Sequence, residues 1–149
     1  MSEASGDMDQ AAELPSIMAH VSVGSNNFQK AILFYDKVLK TIGATRIVEP
    51  HEGAVAWGRV YPEFWVQKPF NGKAAETANG SHFAFLASSQ QMVDDFYAAA
   101  MAAGAEDDGK PGPRIEYSEA YYGCFVRDLD GHKIEAMHWD FSKAPVTEA

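Results

Sequence analysis

The fold of this chain is decided by residues 82–104, which read HFAFLASSQQMVDDFYAAAMAAG. Residues 20–43, HVSVGSNNFQKAILFYDKVLKTIG, repeat the same arrangement 62 positions earlier. In both stretches a histidine comes first, a Phe-Tyr pair follows fourteen and fifteen residues later, and a glycine closes the stretch. An internal repeat of this kind dictates the architecture, and here it predicts two copies of one supersecondary unit.

Each copy begins with a strand and continues with a helix. Ile17 to Val23 alternate between apolar and polar residues, which predicts a strand with one apolar face. The apolar residues that follow recur at helical spacing in both copies. The caps favoured by the sequence are Asn26 or Asn27 for the first helix, which Gly43 ends, and a capping box of Ser88 and Gln91 for the second, which Gly104 ends.

Three short strand-like segments follow each helix, so that each unit reads strand, helix, strand, strand, strand. The segments are Thr45–Val48, Ala54–Val60 and Phe64–Gln67 in the first unit and Ile115–Tyr117, Tyr121–Arg127 and Lys133–Met137 in the second, with a turn at Asp130-Gly131. We therefore predict an α+β protein. Its predicted parts are a disordered leader (1–15), a first βαβββ module (16–70), a linker (71–79), a second βαβββ module (80–139) and a tail (140–149).

Composition excludes several functional classes. The 149 residues include 46% hydrophobic and 12% aromatic residues, enough for a core and too many for a disordered chain. The net charge is −9, which disfavours binding to nucleic acid or to an anionic membrane. No apolar run approaches a membrane span, and no secretory signal is visible. The single cysteine, Cys124, cannot form an internal disulfide, and we expect a cytoplasmic protein.

Strand alternation predicts which side chains face away from the helices. If Val21 and Phe83 pack against the helices, then His20 and His82 lie on the opposite faces of their strands. Aligning the ends of the two units at an offset of 68 places Glu135 opposite Gln67, both on that same face. Two histidines and one carboxylate therefore share the face that the helices leave free.

Two imidazoles and a carboxylate are a suitable ligand set for a divalent metal, with positions left for water or substrate. We predict His20, His82 and Glu135 as metal ligands, Glu135 also as the catalytic residue, and Gln67 as a fourth ligand or part of the site lining. Each residue also has a structural interpretation. A lone histidine on a strand is more often a hydrogen-bonded structural residue than a metal ligand. Glu135, taken alone, is typical of a solvated charge at the end of a strand.

Other residues are candidates for a substrate pocket. Trp65 shares the alternation of Gln67, and Arg114 is either a surface charge or an anion clamp at the pocket mouth. Cys124 lies in an apolar strand, which favours core packing over nucleophilic chemistry. His51 lies in a polar turn, whereas His132 and His138 point away from the site. The predicted pocket residues are Trp57, Trp65, Arg114, Tyr121 and Tyr122.

These motifs resemble the vicinal-oxygen-chelate superfamily, which includes glyoxalase I, bleomycin-resistance and fosfomycin-resistance proteins and extradiol dioxygenases. The resemblance covers about residues 17–139. It implies two βαβββ modules whose sheets curl into a partly open barrel around a cleft, with the helices outside. It also implies metal ligands on the first and last strands of each module, where His20, His82 and Glu135 match. The motifs that carry the resemblance are His20 with Phe34-Tyr35, the stretch from Gly80 to Phe85, Phe96-Tyr97, the stretch from Pro111 to Arg114, and the stretch from Asp128 to Glu135.

The resemblance also implies a function. The expected protein is a dimeric, divalent-metal-dependent lyase, transferase or dioxygenase that chelates adjacent oxygens of a small molecule, with Fe, Mn, Zn, Ni or Co as the metal. Gln67 departs from the glyoxalase I pattern because an amide cannot act as the proton-transfer base. The alternatives are a metal-free protein that sequesters a small molecule, as bleomycin-resistance proteins do, and a structural relic without a ligand.

Overall fold

The computed structural model describes residues 16–143 and contains the two predicted repeats. The predicted leader (1–15) and residues 144–149 of the predicted tail lie outside the described residues. Gly43 and Gly104 follow the two helices with φ values of +78° and +103°, a conformation that favours glycine. In chain order the elements are β1 (Val21–Gly24), α1 (Phe28–Lys40), β2 (Thr45–His51), β3 (Ala54–Gly58), β4 (Phe64–Gln67), β5 (His82–Leu86), α2 (Gln90–Ala102), β6 (Glu106–Pro113), β7 (Tyr121–Arg127) and β8 (Lys133–Trp139).

Each module forms its own four-stranded sheet, with strand orders β1-β4-β3-β2 and β5-β8-β7-β6. The first and last strands of each module are parallel neighbours, and the other pairings are antiparallel. Across residues 16–143, no strand of one sheet pairs with a strand of the other, so the sheets do not close into a barrel. Neither helix in this range is long and apolar enough to cross a membrane.

The two modules share one hydrophobic core, because a single cluster of buried residues joins the helix-covered faces of both sheets. The alternation predicted from the sequence is confirmed: Val23 and Ile134 are buried on these faces. Phe64 of β4 and Phe85 of β5 meet across the module boundary with ring centroids 5.1 Å apart. The opposite faces of the sheets, which carry His20 and His82, therefore turn away from the core.

Polar contacts also join the modules. The Tyr35 hydroxyl of α1 donates a 2.5 Å hydrogen bond to buried Asp128, which follows β7. The Ser25 hydroxyl donates to Asp130 at 2.6 Å, and a ring nitrogen of His132 lies 2.7 Å from the carbonyl of Gly24. Burial raises the pKa of the Asp128 carboxyl. These contacts fix the turn between β7 and β8 against the start of α1.

The predicted start of the first strand and the predicted N-cap of the second helix are wrong by a few residues. Strand β1 begins at Val21, not at Ile17, because its partner β4 begins with Phe64 opposite Val21. Ile17 is fully exposed. The first helix is capped by Asn27, as one of the two alternatives predicted, but the second is capped by Ser89, whose hydroxyl accepts the Met92 N–H. The predicted capping box of Ser88 and Gln91 does not form.

The second strand of the second module is also placed differently. Residues Ile115–Tyr117, predicted as a strand, form a turn, and the strand is β6, Glu106–Pro113. Its two glycines and two prolines are typical of an irregular loop. At the edge of a sheet they are tolerated, since an edge strand need not donate every N–H, and β6 pairs with β7 through two register shifts.

Candidate metal and substrate site

The centre of the candidate site is a contact between β5 and β8. His82 Nε2 lies 3.2 Å from Glu135 Oε2, and the Tyr121 hydroxyl of β7 donates a 2.6 Å hydrogen bond to Glu135 Oε1. The Glu135 side chain is 8% exposed, whereas that of His82 is 47% exposed. Burial raises the pKa of the Tyr121 hydroxyl, as does its bond to Glu135, while the charge of Arg114 opposes the rise. A fixed, buried carboxylate thus faces an accessible imidazole.

Phe125 is the aromatic centre of this open face. Its ring lies edge-on to His82, with centroids 6.0 Å apart. The guanidinium carbon of Arg114 lies 5.9 Å from the ring centroid, and Lys133 Nζ lies 4.9 Å from it. Phe125 pairs directly with Glu135 across β7 and β8. The ring of Phe125 therefore lies beside the imidazole of His82 and the cationic groups of Arg114 and Lys133.

His20 lies in the other module, immediately before β1, and faces Trp65. Their ring centroids are 6.4 Å apart. The two modules are similar at this point: His82 contacts the residue two positions beyond its cross-strand neighbour Lys133, and His20, one residue before β1, faces the residue that follows Phe64, the partner of Val21. The structure therefore brings Trp65 beside His20 as it brings Glu135 beside His82.

The sequence alignment of the module ends is wrong by two residues. Val21 pairs with Phe64, and its counterpart Phe83 pairs with Ile134, so the offset is 70 and not 68. Gln67 lies on the same face as Trp65 but opposite Gly24, farther along the strand. Because the error is an even number of residues, the predicted alignment still placed Gln67 on the correct face of the sheet.

Two predicted pocket residues do not lie on the open faces. Trp57 is 1% exposed, and its indole N–H donates to Asp36 of α1 at 3.0 Å, so it belongs to the core. Tyr122 points to the helix side, where its hydroxyl donates to Asp94 of α2 at 2.8 Å. Adjacent strand residues face opposite ways, so Tyr121 and Tyr122 could not both line the site.

The remaining candidates follow the alternation that the sequence predicted. His138 has a ring nitrogen 3.1 Å from the Ala87 carbonyl, and His51 is exposed in the turn after β2. Cys124 is buried, and burial raises the pKa of its thiol to about 11, which keeps it protonated at neutral pH. Lys133 lies on the face of Glu135, as its alternation with Ile134 predicts, and Phe125 lies there because it pairs with Glu135. Neither residue was among the predicted pocket residues.

The amino-acid sequence also matches a known protein family. Residues 17–136 match the family model of the Glyoxalase/Bleomycin resistance protein/Dioxygenase superfamily. This chain belongs to that superfamily. Among curated protein sequences, none matches the chain.

Several solved structures have the same fold. A glyoxalase/bleomycin resistance protein from Albidiferax ferrireducens T118 is 33% identical, with a TM-score of 0.75, over 83% of this chain and 98% of its own. A glyoxalase-related enzyme from Fulvimarina pelagi has 15% identity and a TM-score of 0.64, over 91% and 99% of the two chains. The fosfomycin resistance protein FosX from Listeria monocytogenes has 17% identity and a TM-score of 0.61, over 87% and 98%.

One copy of this glyoxalase-superfamily chain does not bring its candidate ligands together. Within residues 16–143, no group of three or more His, Cys, Asp or Glu side chains is arranged to hold a metal ion. His82 and Glu135 are in contact, but His20 lies on the other sheet. The predicted set of three ligands is therefore divided between two faces that turn away from a common core.

A cavity of about 380 Å³ adjoins His82 at the boundary between the modules. Its walls are mainly apolar, and polar groups reach it from the loop between β3 and β4. It falls within the size range of small-molecule sites. Its lining includes Met18, Trp57, Phe64, Phe85, Arg59 and Glu63, so the predicted pocket residue Trp57 borders this cavity although it is almost fully buried.

Proposed function

We propose that this protein is a divalent-metal-dependent enzyme that acts on a small molecule with adjacent oxygen atoms. The observation that carries the proposal is the contact between His82 and Glu135, with Tyr121 fixing the carboxylate. A buried carboxylate held by a hydroxyl beside an exposed imidazole is typical of a metal site, in which hydrogen bonds orient the ligands. Membership of the glyoxalase superfamily supports the proposal.

The donor atoms fit such a metal. Imidazole nitrogen and carboxylate oxygen bind Fe, Mn, Co, Ni and Zn, and Glu135 keeps one oxygen directed at His82 while Tyr121 occupies the other. The half-exposed imidazole of His82 leaves an approach for a ligand from solvent. When bound, the metal would act as a Lewis acid that polarises substrate oxygens.

We propose that a second copy of the chain supplies the third ligand. His20 and the pair of His82 and Glu135 lie on faces that turn away from the shared core, so a dimer could place the first module of one copy against the second module of the other. His20 would then join His82 and Glu135 across the interface. Exposed apolar side chains near this region, Met18 and Leu86, are 63% and 64% exposed and suit such a contact.

The residues of the first module near His20 limit the type of reaction that we propose. Trp65 holds no titratable proton acceptor and Gln67 provides only an amide, so neither of these two residues can act as the base for enediolate proton transfer. Glu135 is the one carboxylate in the proposed ligand set. The residues therefore favour a lyase, transferase or dioxygenase reaction in which the attacking group or oxidant comes from a second substrate.

Complementation between two variants tests both parts of the proposal. His20→Ala and His82→Ala copies, carrying different tags, are co-expressed, and the mixed dimer is purified through both tags. We expect each variant alone to lose tight Mn²⁺, Zn²⁺ or Ni²⁺ binding in calorimetry. The mixed dimer should regain one tight site, because it pairs an intact His82 and Glu135 with an intact His20. His51→Ala, which alters an exposed turn, is the matched control.

The possible outcomes separate the alternatives. If the mixed dimer regains no site although the wild type binds metal, the site is not shared between copies. If the wild type binds none of these metals tightly, the metal-dependent function is wrong, and a metal-free protein that sequesters a small molecule becomes the better interpretation. Loss of binding in His51→Ala would contradict the assignment of the ligands.

A further inference from the structure

We infer that Arg114 binds an anionic group, a carboxylate or a phosphonate, of the molecule that occupies the open face of the second sheet. The inference rests on the proposed function in one respect, since it takes His82 and Glu135 to mark the reacting end of that molecule. It adds the substrate's chemical class, a small oxygen-rich anion.

The first observation is that every hydrogen bond of the Arg114 side chain within residues 16–143 goes to a backbone carbonyl. Arg114 Nη2 donates to the Lys110 carbonyl at 2.8 Å, and Nη1 donates to the carbonyls of Gly112 and Pro113 at 3.1 and 3.4 Å. Among residues 16–143, no carboxylate oxygen lies within 4.0 Å of the guanidinium. Its positive charge is therefore oriented but not neutralised.

The second observation is the set of donors that remains. A guanidinium has five N–H groups, and the three hydrogen bonds to carbonyls leave Nε–H and one N–H of Nη2 without an acceptor in the described part of the chain. Nε and Nη2 lie on one edge of the guanidinium. Such an edge is suited to two oxygens of one carboxylate or phosphonate.

The third observation is that two glycines of β6 leave space for the Arg114 guanidinium. A Cβ atom at Gly109 would lie 3.3 Å from Arg114 Nη2, and one at Gly112 would lie 3.4 Å from Nη1. Gly109 also has φ of +151° and lies against Phe125, so a side chain there would disturb both residues. The Gly/Pro-rich strand β6 thus allows the guanidinium to lie flat along its backbone.

The fourth observation is the position of the charge relative to the candidate metal ligands. Arg114 and His82 both lie against the ring of Phe125. Lys133 lies against the same ring, and its ammonium is shared with Asp108, 3.3 Å away. In a chain of net charge −9, an unneutralised guanidinium beside an aromatic ring and an open imidazole is suited to attract a small anion.

The experiment compares small probes on the full chain, with and without Mn²⁺, by NMR-detected titration. The probes are propylphosphonate and butyrate, with butyramide as the neutral analogue of butyrate. Arg114→Gln removes the charge. Arg127→Gln is the matched control, since it removes an equal charge on the same sheet from a residue already paired with Asp108 at 2.9 Å. Arg114→Lys keeps the charge but lacks the two-donor edge.

We expect the wild type to bind at least one anion at millimolar concentration and more tightly than butyramide. Arg114→Gln should weaken this binding by about tenfold or more, Arg114→Lys by less, and Arg127→Gln by no more than about twofold. Affinity for phosphonate over carboxylate, or the reverse, identifies which group the site prefers. Thermal unfolding of each variant checks that the protein remains folded.

Three results would overturn the inference: no binding of either anion by the wild type, equal binding of butyrate and butyramide, or equal losses in Arg114→Gln and Arg127→Gln. If Arg114→Gln does not fold, the comparison of butyrate with butyramide on the wild type and the affinity of Arg114→Lys decide the question. The metal measurement is separate. A wild type that binds no metal but binds anions through Arg114 contradicts the proposed function and supports the anion site.

Discussion

Nε2 of His82 lies 3.2 Å from Oε2 of Glu135, whereas the corresponding histidine of the first module, His20, faces the indole of Trp65. The two modules repeat the same backbone arrangement but not the same chemistry. The second module presents a carboxylate to its histidine, and the first presents an aromatic ring. The proposed site is therefore asymmetric, with its charge and most of its hydrogen bonding on the second sheet.

Tyr121→Phe is expected to weaken metal binding without unfolding the protein. The hydroxyl holds Glu135 Oε1, so its loss leaves the carboxylate less well oriented, and removal of such a partner lowers metal affinity by about 10- to 100-fold. Calorimetric titration with Zn²⁺ or Mn²⁺ measures the change. Tyr122→Phe is the matched control, because its hydroxyl bonds to Asp94 on the helix side. Equal effects of the two substitutions would contradict the assigned role of Tyr121.

Trp65→Glu is expected to raise metal affinity, whereas Gln67→Glu is expected to leave it nearly unchanged. The first substitution places a carboxylate beside His20, and a gain of about tenfold corresponds to about 1.4 kcal/mol. The second places a carboxylate farther along the strand, opposite Gly24. Trp65→Gln, which adds no charge, controls for loss of the indole. A larger gain from Gln67→Glu than from Trp65→Glu would restore the alignment predicted from the sequence.

Asp36→Asn is expected to destabilise the protein at pH 7 but not at strongly acid pH. The Arg46 guanidinium hydrogen-bonded to Asp36 holds the pKa of that carboxyl below its usual value of 3.8. Its stabilisation is therefore fully present above the unfolded-state pKa and is lost as the pH falls through the lower folded-state pKa. We expect a difference of about 1–2 kcal/mol in the free energy of unfolding at pH 7.

Urea unfolding of wild type and Asp36→Asn at several pH values between neutral and strongly acid measures this difference. Glu49→Gln is the control, since Glu49 contacts the same Arg46 at 3.1 Å but is 77% exposed. Its effect should stay within about 0.5 kcal/mol. A pH-independent loss in Asp36→Asn would show that the ion pair with Arg46 is not its cause.

Tyr35→Phe is expected to weaken the contact between the modules. It removes the donor to the buried Asp128 carboxylate, and leaving a buried acceptor with one bond fewer costs about 1–3 kcal/mol. The free energy of unfolding in urea measures the loss. Tyr61→Phe, at an exposed residue, should change it by less than about 0.5 kcal/mol. No destabilisation in Tyr35→Phe would mean that apolar packing alone, including Phe64 against Phe85, joins the modules.

The sequence by itself determined the repeated strand-helix-strand unit and the face on which His20, His82 and Glu135 lie. Both follow from local periodicity, since every second residue of a strand shares a face. The sequence also identified the turn at Asp130-Gly131, which the structure contains between β7 and β8. These features depend only on residues that are close together in the chain.

Only the tertiary structure decided the register between β1 and β4 and the position of Arg114. Parallel strands more than 40 residues apart are aligned by packing across the whole sheet, so the pairing of Val21 with Phe64, and hence of His20 with Trp65, is not visible in local spacing. The Gly/Pro-rich segment before Arg114 has the composition of a loop. In the structure it is the edge strand β6, because it pairs with β7. Trp57 likewise does not lie on the open face. It packs on the helix side, where Asp36 of α1 accepts a hydrogen bond from its indole N–H.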